Sequence, residues 1–176
     1  MVELDSKIVT KVEEFKFLEK MFKEQFETKK KFRPNLLYRA TRDGDSGLFF
    51  HKKCDNIKDT LTLVKTKTGS IFGGYTSETW NGNNYKKDDK AFCFSIDLKK
   101  KYKSKKNDNT IYCARLYGPC FGDAFFWIFN NCFEEGGVTT EELNKNFDNL
   151  NVKNEFNNGK EKFKIEDYEV FEVKFD

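Results

Sequence analysis

His51 is the only histidine in the chain, and in "FFHKKCD" it stands three residues before Cys54 and four before Asp55. An imidazole beside a thiol can take the thiol proton and leave a nucleophilic thiolate, the first step of covalent catalysis and of peroxide reduction. The spacing also has a plainer meaning. Positions i and i+3 of a helix are neighbours whatever they carry, so a packed Cys54 beside a hydrogen-bonded His51 satisfies it equally. Nothing else in this stretch marks the thiol for a lowered pKa, and the packing reading is favoured.

The remaining cysteines are Cys93, Cys113, Cys120 and Cys132. Cys93 and Cys113 fall inside strand patterns and are expected in the core. Cys120 lies in the Gly/Pro turn "YGPCFGD" and is expected to be the exposed thiol, which makes it a second redox candidate. An odd number of cysteines without a C-x-x-C pair argues against a disulfide framework and a zinc ribbon, and for reduced thiols. One histidine among scattered cysteines supplies no four-ligand set, and no acidic stretch has Ca²⁺-loop spacing, so neither metal nor cofactor is expected. Glu166, Asp167 and Glu169 pair carboxylates near the C-terminus, but acid/base work also needs a pocket and a shifted pKa. Arg42-Asp43-Gly44 reads as a turn held by its own Arg–Asp contact.

One basic cluster stands out. "KKKYKSKK" carries Lys99, Lys100, Lys101, Lys103, Lys105 and Lys106 with one aromatic and no arginine. Lysine reads phosphate less well than arginine, and the interleaved aromatics of a single-strand binder are missing. A solvated loop or hairpin end is the plain reading; weak attraction to anionic lipid headgroups or to an acidic protein face is the functional one. With a net charge of only +3, nucleic acid is not an expected partner.

These residues must be positioned by one folded unit, because 176 residues with 38% hydrophobic and 35% charged content suit a single soluble domain, 1–176. Twenty Phe should dominate its core. No apolar run approaches the ~20 residues of a membrane span, and "MVELDSKIVTK" lacks the apolar stretch of a secretion signal, so a cytoplasmic location is expected. Ile8, Val12, Phe15, Leu18, Met21, Phe22 and Phe26 form one stripe of an amphipathic helix, about 8–30, capped by Ser6 or Thr10 and ending near Lys29 to Lys31. A sheet-rich body, about 34–176, follows. Leu36 to Thr41 reads as a strand, and Ser46 as the cap of a short helix carrying Leu48, Phe49 and Phe50 inward. Thr60 to Tyr75 reads as a β-hairpin turning at Lys67-Thr68-Gly69. Gly73 and Gly74 inside its second strand imply a bulge or a crowded crossing before a ligand loop, since no helix start follows them. "AFCFSIDL", "TIYCARLYGP", "FFWIFNN" (covered on both faces) and "KFKIEDYEVFEVKF" read as further strands, and "TTEELNKNF" as a short helix or loop. Helices at the start and in loops around antiparallel strands predict an α+β fold, two antiparallel β-sheets packed as a sandwich with flanking helices.

The blocks "LLYRATRDGDSGLFFHKKCD", "TLTLVKTKTGSIFGGYTSETW", "AFCFSIDL", "YGPCFG" and "FKIEDYEVFEV", in that order from about Ser6 to Val173, resemble a TLDc domain, the module of oxidation-resistance proteins. Residues on the resembling blocks are Arg42, Asp43, Gly44, His51, Cys54, Asp55, Gly73, Gly74, Gly118, Pro119, Phe121, Gly122 and Glu169. The resemblance implies the same sandwich, protection against oxidative stress and association with the vacuolar-type proton-pumping ATPase (V-ATPase). It implies no agreed reaction or active site. The glycine-rich run after P-x-F-G is shortened here to Phe121-Gly122-Asp123, which puts any function of that loop in question. Membrane-trafficking and peptidoglycan-binding roles belong to extra domains of larger relatives and do not carry over. Three functional readings result: a non-enzymatic, monomeric interaction domain that binds V-ATPase subunits, a thiol-based peroxide-scavenging enzyme using Cys54 with His51 or Cys120, and a peripheral binder of anionic membrane surfaces through Lys99 to Lys106.

Overall fold

The structure, a computed structural model, describes residues 4–176. In chain order its elements are α1 (Val12–Gln25), β1 (Phe32–Arg39), α2 (Ala40–Asp43), α3 (Gly47–Cys54), β2 (Thr60–Thr66), β3 (Ile71–Thr76), β4 (Tyr85–Lys86), β5 (Phe92–Ser95), β6 (Lys100–Lys103), β7 (Ile111–Tyr112), β8 (Cys120–Phe121), β9 (Phe126–Ile128), α4 (Cys132–Glu135), β10 (Gly137–Val138), β11 (Lys162–Phe163) and β12 (Ile165–Phe175). A single 3₁₀ turn, Glu155–Asn157, precedes β11. The strands form two antiparallel six-stranded sheets. The first runs β1-β12-β2-β3-β5-β6 and the second β11-β10-β9-β8-β7-β4.

Two hydrophobic layers result, one between the sheets and one between the first sheet and α1. Leu18, Met21 and Phe22 of α1 are buried on the outer face of the first sheet, where Phe22 meets Phe32, Tyr75 and Phe92 at ring-centroid distances of 4.7, 5.4 and 5.1 Å. Between the sheets, Phe72, Phe121, Phe125, Phe126, Phe147 and Phe156 share one cluster with Tyr102 and Tyr168. Most of the Phe are buried, as their number in the sequence predicts. Because the first sheet is covered on both faces, β2 buries Leu61 and Leu63 toward α1 and Val64 toward the second sheet. Period-two alternation therefore survives in β2 without a solvent face.

The helix expected over 8–30 is shorter. Ile8 and Val9 are buried ahead of α1, held by Ser6 Oγ, which accepts from both of their backbone N–H groups. At the helix start, Glu14 accepts from the backbone of Thr10 and Lys11, so neither Ser6 nor Thr10 is the cap residue. The helix ends at Gln25 with Lys23 in its last turn, short of Lys29 to Lys31. β1 begins before Pro34 and stops before Thr41, and it takes the proline because it is an edge strand. Ser46 does cap α3, accepting from Leu48 N. Only Phe50 of the three expected side chains turns inward; Leu48 and Phe49 are 42% and 49% exposed.

The second sheet is open where both faces were expected to be covered. Cross-strand register places Tyr112, Cys120, Trp127, Val138 and Lys162 in one row. That row points away from the inter-sheet cluster, and Tyr112, Trp127 and Val138 in it are half-exposed.

Gly73 and Gly74 have a steric explanation. Register is continuous from β2 through β3 to β5, so no bulge is present. A Cβ on Gly73 would lie 2.0 Å from the Thr62 carbonyl oxygen, and one on Gly74 would lie 2.7 Å from the Phe121 ring. The crowded-crossing reading of the sequence is the correct one. The obstacle at Gly73 is backbone, which cannot swing aside, so Gly73→Ala should cost about 3 kcal/mol, the upper part of the usual overpacking range. Gly69→Asn, at a left-handed turn position with open space around it, should cost well under half of that. Urea unfolding of both variants checks the pair, and equal midpoints would remove the steric account.

Candidate functional site

α3 presents the sequence's leading chemical candidates, and its neighbours fix them tightly. Asn130 Oδ1 accepts from Ser46 Oγ and Gly47 N at the start of the helix. One turn later His51 Nδ1 meets Asp55, and its Nε2 lies 2.9 Å from the Ala114 carbonyl. Both ring nitrogens are occupied by acceptors outside the helix core, so neither faces Cys54 as a base. Cys54 is itself fully buried. Burial first, then the nearby Asp55 and Asp43 carboxylates, pushes its thiol well above the ordinary range. The spacing therefore brings His51 and Cys54 together on one helix without making them a catalytic pair.

Cys120 is corrected by the structure. The turn ends at Pro119, and Cys120 already belongs to β8, opposite Tyr112 of β7 and Trp127 of β9. Those two rings stack at 5.0 Å and 16°. Lying in one row with Cys120 between them, they leave it 0% exposed on what is otherwise the open face. Its thiol donates toward the Gly118 carbonyl at 3.4 Å. All five thiols are free and buried. Desolvation pushes Cys113 up to about 11 and Cys132 up to about 12, and raises Cys93 and Cys120 as well. A thiol at 11 is ionised to only about one part in 10⁴ at neutral pH, far below what an activated cysteine requires.

Arg42 grips Asp43 with two hydrogen bonds, Nε to Oδ1 at 3.0 Å and Nη2 to Oδ2 at 2.7 Å, and also donates to the Leu37 carbonyl. Gly44 follows at φ +106°, and the Phe49 ring lies so close that a Cβ there would be 2.6 Å from it. Of the C-terminal carboxylates, Asp167 accepts from Thr41 Oγ1 and N at 2.6 and 3.1 Å, while Glu166 pairs with Lys65 at the surface. Glu169 is 0% exposed. It accepts from Arg39 Nε at 2.7 Å, Ser6 Oγ at 2.6 Å and Lys7 N at 2.8 Å. Arg39 also reaches the Asp5 carbonyl and carboxylate, both at 2.9 Å. Burial works against the Arg39 charge, but hydrogen bonds to Asp5 and Glu169 more than offset it and raise its pKa.

Arg39 was not singled out by sequence and Ser6 only as a helix cap, because the partner of both, Glu169, lies at the opposite end of the chain. A carboxylate that the sequence did not mark is Glu141, 4% exposed, which accepts from Asp123 N, Asn146 N and Asn146 Nδ2 beneath the Phe121-Gly122-Asp123 segment. Burial raises its pKa. Asp123 pairs with Lys145 at 3.2 Å; burial opposes its charge, while hydrogen bonds from Asn146 and Lys145 hold its pKa down. Gly118 and Pro119 carry the chain from the turn into β8, with Gly118 N donating to the Ile128 carbonyl.

The lysine cluster splits across β6. Lys100 pairs with Glu155 on the inter-sheet side, whereas Lys101 meets Gln25 of α1 and lies 4.3 Å over the Phe92 ring. Burial lowers Lys101 to about 8. Lys105 donates to the Asn144 carbonyl, while Lys99, Lys103 and Lys106 are exposed. Lysines on an edge strand also deter edge-to-edge pairing. Among the described residues no group of three or more His, Cys, Asp or Glu is placed to hold a metal ion, and no helix is long and apolar enough to cross a membrane.

A family model for the TLDc domain matches residues 3–174, nearly the whole chain. No curated protein matches it.

Two outcomes are expected from this geometry. A thiol reagent such as dithionitrobenzoate should titrate almost none of the five thiols in the native protein and all five in concentrated guanidinium; one thiol reacting natively as fast as free cysteine would contradict it. Glu169→Ala strands Arg39 without its buried partner and should cost about 3–5 kcal/mol of stability in urea unfolding, a large share of a domain's total. A loss below about 1 kcal/mol, the level of an exposed pair, would show that solvent reaches the site.

Proposed function

The chain belongs to the TLDc domain family, and from that membership, with the resemblance to oxidation-resistance proteins, we propose that it is a non-enzymatic interaction module that supports oxidative-stress resistance by binding the V-ATPase in the cytoplasm. One observation carries the reading against an enzyme. The side chains with chemical potential are committed to the fold: His51 by both ring nitrogens, Glu169 by Arg39, Ser6 and Lys7, and the five thiols by burial. What stays accessible is surface.

A module of this kind works by differential affinity. A ligand shifts an equilibrium between assembled and separated pump only by the difference in its binding free energy for the two forms. A tenfold preference is worth about 1.4 kcal/mol, and moving an equilibrium from 1:99 to 99:1 needs roughly 10⁴-fold. The second reading, thiol-based peroxide scavenging, needs an accessible thiolate, and the raised thiols oppose it.

The test is direct binding of the purified chain to the separated cytosolic V-ATPase sector and to the assembled pump. At least about tenfold preference for one form is expected. Equal affinities would end the regulatory mechanism, and stoichiometric peroxide consumption abolished by one Cys→Ser substitution would restore the enzyme.

A further inference from the structure

The open face of the second sheet is aromatic. Ring contacts run without a break from Tyr85 to Tyr112 (4.8 Å), Tyr112 to Trp127 (5.0 Å), Trp127 to Tyr117 (5.9 Å) and Tyr117 to Phe129 (5.9 Å). All five side chains are half-exposed. A sheet face turned to water ordinarily carries polar residues, whereas Tyr and Trp are the types enriched at the energetic centres of protein interfaces.

This surface continues onto α3. Tyr117 N bonds to the Ala114 carbonyl, closing a turn whose Leu116 carbonyl would sit 2.7 Å from a Cβ on Gly47. His51 staples the same turn through the Ala114 carbonyl. Leu116 at 52% exposure thus borders Leu48 and Phe49 at 42% and 49%. Lys52, Lys53 and Arg115 are exposed around these apolar residues. Among the described residues Lys52 and Arg115 have no ion-pair partner, and Lys53 reaches only Asp43, at 3.7 Å. The acids beside the lysines, Asp43 and Asp55, are engaged by Arg42 and His51; Asp45 lies at the other end of α3, and the exposed Glu134 and Glu135 lie beyond Phe129, at the far end of the aromatic run from Lys52 and Lys53.

We propose that this belt, from Trp127 across Leu116 to Leu48 and Phe49, is the partner-binding face, and that its occupant is an acidic amphipathic helix of another protein. The inference rests on reading the chain as an interaction module. Charge complementarity with Lys52 and Arg115 selects an acidic occupant. A helix fits because the belt is a face, and the edge strands of this sheet, β4 and β11, are two residues long and too short to template an added strand. A membrane fits less well, since one edge of the Phe49 ring packs against Gly44 and the side chain is only half free to insert. Nucleic acid fits less well too: Tyr112 and Trp127 stack on each other at 16°, which occupies one face of each ring and leaves a base half the platform.

The experiment uses the full chain and two labelled synthetic helical peptides sharing one Leu stripe, with Glu on the polar face of one and Lys on that of the other. The Glu peptide should bind and shift the emission of Trp127, the Lys peptide should not, and Phe49→Ser with Leu116→Ser should weaken binding at least about tenfold. Lys52→Glu with Arg115→Glu should reverse the preference; far-UV circular dichroism confirms that the variants fold. Equal binding of both peptides, or Glu-peptide binding unmoved by these substitutions, overturns the proposal. So does tighter binding of phosphatidylserine vesicles or oligo-deoxythymidylate through the same residues. The V-ATPase sector is assayed in parallel. Sector binding that survives while the peptide fails sinks this face and leaves the pump reading intact; peptide binding without sector binding does the reverse.

Discussion

The Arg39–Glu169 ion pair is the contact through which the two ends of the chain become one structure. Glu169 lies in β12, the longest strand, which is hydrogen-bonded to β1 on one side and β2 on the other. Arg39 is its direct cross-strand partner in β1. Taking two charges out of water is expensive, and the cost is met only when every acceptor is satisfied. Here Ser6 Oγ and Lys7 N add donors to the carboxylate, and Asp5 takes the guanidinium's Nη2. The segment leading into α1 is therefore bound to the sheet by the charge it covers. Arg39 is also the last residue of β1, so the same pair sets where the chain departs into α2 and α3. The entry to α1 and the path to α3 are thus fixed at one point.

Local rules were legible wherever the determining contact was local. Ser46 before an apolar run marked the start of α3, alternation marked β2, β3 and β12, and two glycines with no helix after them marked a close approach. Local rules misled only where a distant partner decided the outcome. Ser6 keeps the local bonds of a cap, to Ile8 N and Val9 N, yet α1 begins only at Val12, and Ser6 is tied to a carboxylate 163 residues away that no local window shows. Leu48 and Phe49 look like core in a window of eight residues, yet α3 turns only one face to the sheets. Cys120 looks like a loop residue because Gly118 and Pro119 precede it; nothing in its neighbourhood shows that Tyr112 and Trp127 will close over it.

The same division explains the fate of the chemical candidates. Proximity in sequence put His51, Cys54 and Asp55 on one helix, and that much was readable. Which nitrogen bonds to what depends on the turn at Ala114, which no spacing within α3 encodes. A Phe-rich interior then acts on every thiol in one direction. Large rings exclude water and supply no hydrogen-bond donors to a thiolate, so burial raises each cysteine's pKa whatever its position in the fold.

The interior of this fold keeps its five thiols, His51 and Glu169 from solvent. Its reactive groups are neutral, paired or sealed, and its polar network holds elements together instead of opening to a substrate. On the proposed reading, binding energy comes from the outside, where solvent-facing aromatic rings keep part of their apolar surface in water. Packing those rings against one another limits their conformational freedom before any partner arrives. A preordered face loses less entropy on association than a mobile one. The same ring-on-ring packing that buries the thiols inside is, on the open sheet, what would preorder the proposed face.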